Sequence, residues 1–319
     1  MKYIWKDMYL AGIMGILVPG LLLNVGVMAY GEEVQPQIVT EAVTIAPEPE
    51  KSVPIRFQSD SGWVEKDLEE YLVGVVLAEM PASFEEEALK AQAVVARTYG
   101  VRALKGKSKH PEGDICGNAA CCQGYLDPAD YGGTEEQLQK VRNAVYATSG
   151  EVLIYQGELI EATYFSCSGG ATEDAVAVWG TDVPYLQSVD SPGEENAAYY
   201  VDGVEFTLEE FLSCLDLDLE GTPVSWLGEV TYTAGGGVDT VVIGGKSYKG
   251  TEIRKLLGLR STAFEMDATE ETISVTTRGY GHRVGMSQYG ADAMASQGSQ
   301  YGEILAHYYQ GTELVNWFD

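Results

Sequence analysis

The chain has 319 residues, 45% of them hydrophobic, which is enough apolar material for one large core or two moderate ones and excludes a chain disordered throughout. Its 20 Lys+Arg against 48 Asp+Glu give a net charge of -28. That balance argues against nucleic acid as a partner and against electrostatic adsorption to an anionic membrane, so any membrane attachment has to be hydrophobic.

Residues 8–30, MYLAGIMGILVPGLLLNVGVMAY, carry no charged side chain and are long enough to span a bilayer as a helix. Lys2 and Lys6 precede this run and Glu32 and Glu33 follow it, which orients the N-terminus to the cytoplasm and the bulk of the chain outside. A signal peptide cleaved after Val27-Met28-Ala29 exports the chain equally, but the length of the run favours an uncleaved anchor. We expect residues 1–30 to be a cytoplasmic stub and transmembrane anchor and 31–55 a Pro-rich, acidic linker. Residues 56–319 then form one extracytoplasmic domain. A short strand at residues 38–43 is the alternative reading of part of the linker.

Leu68, Tyr71, Leu72, Val75 and Val76 fall at helical spacing and predict a helix that stops at Glu79-Met80-Pro81. A second helix is expected from the acids at 85–87 through Tyr99, with Gln92, Ala96 and Tyr99 on one face and Arg97 well round the cylinder. Further helical patterns cover 134–147, 207–215, 250–257, 287–297 and 301–309. Strand patterns cover 151–155, 159–165, 229–234, 240–243 and 272–277. Helices bracket a strand-rich middle, so the fold class is α+β rather than a regular βαβ succession.

Four stretches carry candidate chemistry. Glu79 follows an apolar run whose burial would raise a carboxyl pKa into general-acid range, although a solvated helix end before proline has the same sequence. Residues 90–109 hold six bases and no acid, which suits either a helix C-terminus and solvated loop or attraction for an anionic ligand. His110, Cys116, Cys121 and Cys122 form H-x5-C-x4-C-C, a zinc-type donor set, with a disulfide as the competing account. Adjacent Cys121 and Cys122 are not expected to turn inward together, which leaves three protein ligands and a fourth position open to water or to Glu79. Thr163 to Gly170 ends a strand in small polar residues and a glycine pair, a turn that lets backbone approach a ligand closely. In the 278–291 stretch, glycines surround His282, Ser287, Gln288 and Tyr289; His282 suits a general base or a satisfied core histidine, and Ser287 sits on no nucleophile elbow.

The segments VVLAEMPASFEEEALKAQAVVARTY, HPEGDICGNAACCQGY, YFSCSGGATEDAVAVWGTDVPYLQSV, VVIGGKSYKGTEIRKLLGLRSTAF and GYGHRVGMSQYGADAMASQG occur in that order between about residues 68 and 311. Together they resemble the stage II sporulation protein D family of membrane-anchored, peptidoglycan-cleaving proteins. The resemblance implies a lytic transglycosylase that cuts peptidoglycan glycan strands already stripped of stem peptides. It places the catalytic glutamate of an E-M-P motif on Glu79. It implies two partners in engulfment, the amidase stage II sporulation protein P and the membrane protein stage II sporulation protein M, and a site in the mother-cell membrane facing septal peptidoglycan. Around Glu79 the expected substrate contacts are Gln92, Arg97, Tyr99, Tyr164, Ser166, Ser168, Gly169, His282, Ser287, Gln288 and Tyr289. Arg97 or Arg102 is our own choice for the lactyl carboxylate of a peptide-free muramic acid.

Some family members hold zinc with one His and two Cys, which falls here on His110, Cys116 and Cys122 and leaves Cys121 spare. Zinc touching Glu79 would depress its pKa, so a structural or regulatory ion is expected. Arg283 departs from the wider motif, which often has glycine there. Two other functions are weighed: a glycan-binding activator of an amidase, and a zinc amidase or peptidase.

Overall fold

A computed structural model describes residues 46–59 and 62–318. The expected anchor and the 38–43 strand lie outside the described residues. Among the described residues no helix is long and apolar enough to cross a membrane.

The centre of the fold is a pair of helices, α1 (Leu68–Glu79) and α2 (Glu86–Arg102). Asp67 caps α1, its Oδ1 accepting from the backbone N–H of Glu69 at 2.9 Å. The helix stops at Met80, which is extended because Pro81 follows. Both helices are buried on nearly every side, α1 from Leu68 through Leu77 except Glu70. Such helices are held by packing around them rather than by one amphipathic face. A third helix, α3 (Glu135–Ala147), begins in a capping box of Thr134 and Gln137 and packs on both. The Gln288–Ser296 and Tyr301–Tyr308 helices close over α2.

Short sheets edge this core. β1 (Pro54–Ser59) pairs antiparallel with β2 (Gly62–Asp67) and parallel with β3 (Ile115–Cys116). Ile55 and Phe57 point inward from β1. β4 (Glu151–Tyr155) lies between β5 (Glu158–Leu159) and Glu313–Asn316. The predicted strand 159–165 is broken, and only β6 (Tyr164–Phe165) continues it. β6 pairs parallel with Met286–Ser287, which brings Tyr164 beside the start of the Gln288–Ser296 helix. That pairing needs Gly285, since a side chain there would drive into the backbone oxygen of Thr163.

Residues 201–278 form a second apolar cluster, built from two three-stranded sheets and two helices around Phe211, Val241, Tyr248, Ile253 and Ile273. It includes strands Val201–Thr207 and Ala263–Ala268, which the sequence pattern does not announce. The mixed content agrees with α+β, but as several small sheets rather than one strand-rich layer.

Candidate active site

Glu79 is the last residue of α1, half-buried, with its Oε1 accepting the backbone N–H of Gly124 at 2.5 Å. Gly124 has to be glycine for this contact: a Cβ there would stand 2.9 Å from Oε1. Burial raises the Glu79 pKa above the ordinary carboxylate value, against the opposing donors Gly124 N–H, Tyr164 hydroxyl and Gln288 amide. All three partners are neutral. Its place at a helix C-terminus, the negative end of the dipole, acts in the same direction as burial.

A chain of neutral groups backs the carboxyl. Gln123 lies 3.5 Å from the hydroxyls of both Tyr71 and Tyr164 and donates to the carbonyl of Ala96 at 3.4 Å. Gln288 donates to Gln92 at 3.4 Å, and Gln92 is wholly buried with its own Nε2 unpartnered. Gln92 therefore positions Gln288 and does not itself reach a ligand. A groove of ≈ 1120 Å³ passes the acid at Ala78 and Gly124 and runs between Val64, Lys66 and Tyr125 to Cys121.

Several expected substrate contacts are buried elsewhere. Arg97 is fully buried, its guanidinium clamped on Glu69 by two hydrogen bonds of 2.8 and 2.6 Å, with the Val145 carbonyl as a further acceptor. It cannot meet a lactyl carboxylate; the helix position said only that it faced away from Gln92, not that Glu69 was waiting there. Arg102 pairs with Glu161 at 3.6 Å and Lys90 with Glu86 and Glu87, so much of the basic run is answered by acids from outside it. Ser168 is wholly buried against Glu194, and Gly169 donates its N–H to the same carboxylate at 3.3 Å. Ser287, also fully buried, caps the following helix by accepting from Gly290 N–H at 3.2 Å. These three hold the walls rather than line the site.

Tyr289 packs its ring against Phe84, and the Ser166 carbonyl accepts its backbone N–H. His282 lies between Phe165 and Trp179, and its Nδ1 accepts the Val284 N–H at 3.1 Å. Burial first, and then the charge of Arg254, push its pKa down to about 4, so it is a neutral, satisfied imidazole at pH 7. Of the expected contacts, Tyr164 and Gln288 are the two that reach Glu79. Gly124 and Gln123 were not foreseen, although both stand at the end of the His/Cys segment.

The His/Cys segment also departs from expectation. The ligand atoms of His110, Cys116, Cys121 and Cys122 all lie within 4.8 Å of one another, so Cys121 belongs with the other three. The reason is local. Asn118 opens a tight turn whose carbonyl accepts the N–H of both Cys121 and Cys122. In such a turn neighbouring side chains diverge by about 100°, rather than facing opposite ways as on a strand. Tyr99 sits against this cluster, its hydroxyl near Cys122 and its ring under the Lys109 ammonium at 5.8 Å. The donor set and spacing could hold a metal ion.

A half-buried acid on a helix end, beside a His/Cys loop, now meets the comparisons with known proteins. A family model described as "SpoIID: Stage II sporulation protein" matches residues 61–155, which contain Glu79 and the whole cluster. Stage II sporulation protein D of Bacillus subtilis (strain 168) is 43% identical over 271 residues, 82% of this chain and 78% of that protein. Its counterpart in Bacillus amyloliquefaciens is 42% identical over the same shares. The amidase enhancer of Bacillus subtilis (strain 168) is 30% identical over 305 residues, 77% of this chain and 40% of that protein. Kinship of this kind defines a sporulation protein with a cell-wall-related role. The chain belongs to the stage II sporulation protein D (SpoIID) family.

Proposed function

We propose that this protein is a membrane-anchored lytic transglycosylase that cleaves peptide-free peptidoglycan glycan strands during engulfment. The observation that carries the reading is Glu79: a half-buried carboxyl with a raised pKa, held by three neutral donors and by no cation among them. Gly124 N–H occupies Oε1, so the acidic proton belongs on Oε2. That proton passes to the glycosidic oxygen leaving C1 of muramic acid. The carboxylate then takes the proton of the same sugar's C6 hydroxyl as its oxygen bonds to C1. One C–O bond breaks, one forms, and no water is consumed. A single residue serves as acid and then base, so the second carboxylate of an ordinary glycosidase is unnecessary. The groove past Ala78 and Gly124 has the dimensions for several sugar rings.

His110 and its cysteines are the residues that would hold zinc, and such an ion would supply a structural tie for the loop leading to Gly124. Under this reading the anchor at residues 1–30 holds the domain at the mother-cell membrane facing septal peptidoglycan. The stage II sporulation proteins P and M are then its partners.

A second reading, a glycan-binding activator of an amidase, is favoured specifically by the similarity to an amidase enhancer. Peptide-free glycan digested with the wild-type protein should yield anhydro-muramic ends by mass spectrometry, and Glu79→Gln should yield none while still binding glycan. Absence of anhydro ends from both proteins, with amidase stimulation intact in both, would establish the activator instead. Release of stem peptides would point to the zinc amidase.

A further inference from the structure

We infer that Cys121 is a fourth metal ligand, so that this chain builds a closed Cys3His site rather than the three-ligand site the family resemblance implies. The observations are geometric. His110 Nε2 stands 3.3 Å from Cys122 Sγ and 3.7 Å from Cys121 Sγ, and the two sulfurs are 3.9 Å apart. Around a tetrahedral zinc, bonds of about 2.3 Å to sulfur and 2.0–2.1 Å to nitrogen imply edges of about 3.8 Å between sulfurs and about 3.6 Å between sulfur and nitrogen. The three spacings among His110, Cys121 and Cys122 are close to such edges, and Cys116 Sγ lies within 4.8 Å of each of the three. All five cysteines are free thiols, so no disulfide competes for these sulfurs.

Three separate pieces of backbone deliver the set. Cys116 comes from β3, fixed in register by β1. Ser108 Oγ accepts the His110 N–H at 2.9 Å and donates to the Gly113 carbonyl at 2.9 Å, which folds the His110 loop back on itself. The Asn118 turn carries the vicinal pair, with Asn118 Oδ1 accepting the Ala120 N–H at 2.9 Å and Lys109 bonded to the Cys121 carbonyl at 2.7 Å. Four protein ligands leave no open position, as in structural rather than catalytic zinc sites. An ion so enclosed has no bond to spare for Glu79, which removes the conflict between a nearby cation and a general acid. Its effect on the acid is mechanical: two residues beyond Cys122, the Gly124 N–H holds Oε1.

The test counts ligands and does not depend on glycan cleavage, so it stands apart from the proposed function. X-ray absorption at the zinc edge of the full wild-type chain should give three sulfurs and one nitrogen. Anaerobic loading with Co²⁺ alone should give a tetrahedral spectrum at one ion per chain. In Cys121→Ser the thiolate charge-transfer intensity should fall to about two-thirds, and chelator should strip the ion at least tenfold faster. Two sulfurs in the wild type, or a Cys121→Ser spectrum and stripping rate equal to wild type, would overturn the inference. So would failure of the wild-type chain to bind either ion. The sulfur count needs no variant, so misfolding of Cys121→Ser cannot shield the proposal.

Discussion

The two ends of α1 each bury a glutamate, and they treat it in opposite ways. Glu69, in the first turn, meets the Arg97 guanidinium in a two-point ion pair within the core. It also sits at the positive end of the helix dipole. Glu79, at the last turn, has amide, hydroxyl and carboxamide partners, all neutral, at the negative end of the same dipole. An acid answered by a cation is structural; Glu79, with no cation to oppose its burial, holds a proton more tightly than a free carboxyl. Glu173 falls on the side of Glu69, paired with Arg283 at 3.0 Å in the interior.

The strongest attempt to break this contrast is to neutralise Glu79. Glu79→Gln should lower glycan cleavage by about 10²–10⁴-fold, the range for losing a general acid, measured by anhydro-end formation. Its folding should not suffer. The folded pKa of Glu79 lies above its unfolded value near 4.5, so the favourable contribution is complete below that pH and is lost as pH rises through the folded value. Gln has no proton to lose, so urea unfolding should show Glu79→Gln at least as stable as wild type at pH 7, with the gap narrowing toward pH 4. A clear destabilisation at pH 7 would place Glu79 with Glu69 as a structural acid.

Arg97→Met makes the opposite prediction. It strands Glu69 in the core and should cost roughly 3–5 kcal/mol in unfolding free energy. Glu69→Leu combined with Arg97→Met should recover most of that loss, because an apolar pair of similar volume replaces the ion pair. Gly124→Ala comes next: its new Cβ meets the Glu79 carboxyl, and displacement by about 1 Å should lower the rate on the order of 10²-fold. The smallest effect is expected of Tyr164→Phe. The Tyr164 hydroxyl lowers the Glu79 pKa, so removing it raises that pKa further and moves the high-pH fall of kcat/KM upward. A downward move would mean that Tyr164 does not donate to the acid.

Much of α1 and α2 was legible in the sequence because apolar spacing and the Pro81 stop are local signals. β1 was not: Ile55 and Phe57 offer only two inward positions at the end of a proline-rich run, and their partners are on β2 and β3. The site divides along the same line. Glu79 was legible from its apolar run and the E-M-P motif, and Tyr164 and Gln288 from their polar and glycine-rich surroundings. The misreadings of Arg97, Ser168 and Ser287 share a cause: a polar residue in a motif says nothing about whether a distant partner has already claimed it. Glu69 claims Arg97, Glu194 claims Ser168, and a helix N-terminus claims Ser287. Cys121 was set aside because adjacent cysteines were not expected to turn inward together, and the turn at Asn118 brings both to the cluster.

The Gly124 amide that holds Glu79 is 45 residues further along the chain, and Gln288 reaches Gln92 across 196. The three donors that hold the carboxyl, Gly124, Tyr164 and Gln288, come from widely separated stretches, so the site is complete only in the whole folded domain. On the transglycosylase reading, a proteolytic fragment lacking the C-terminal helices should form no more anhydro-muramic ends than Glu79→Gln.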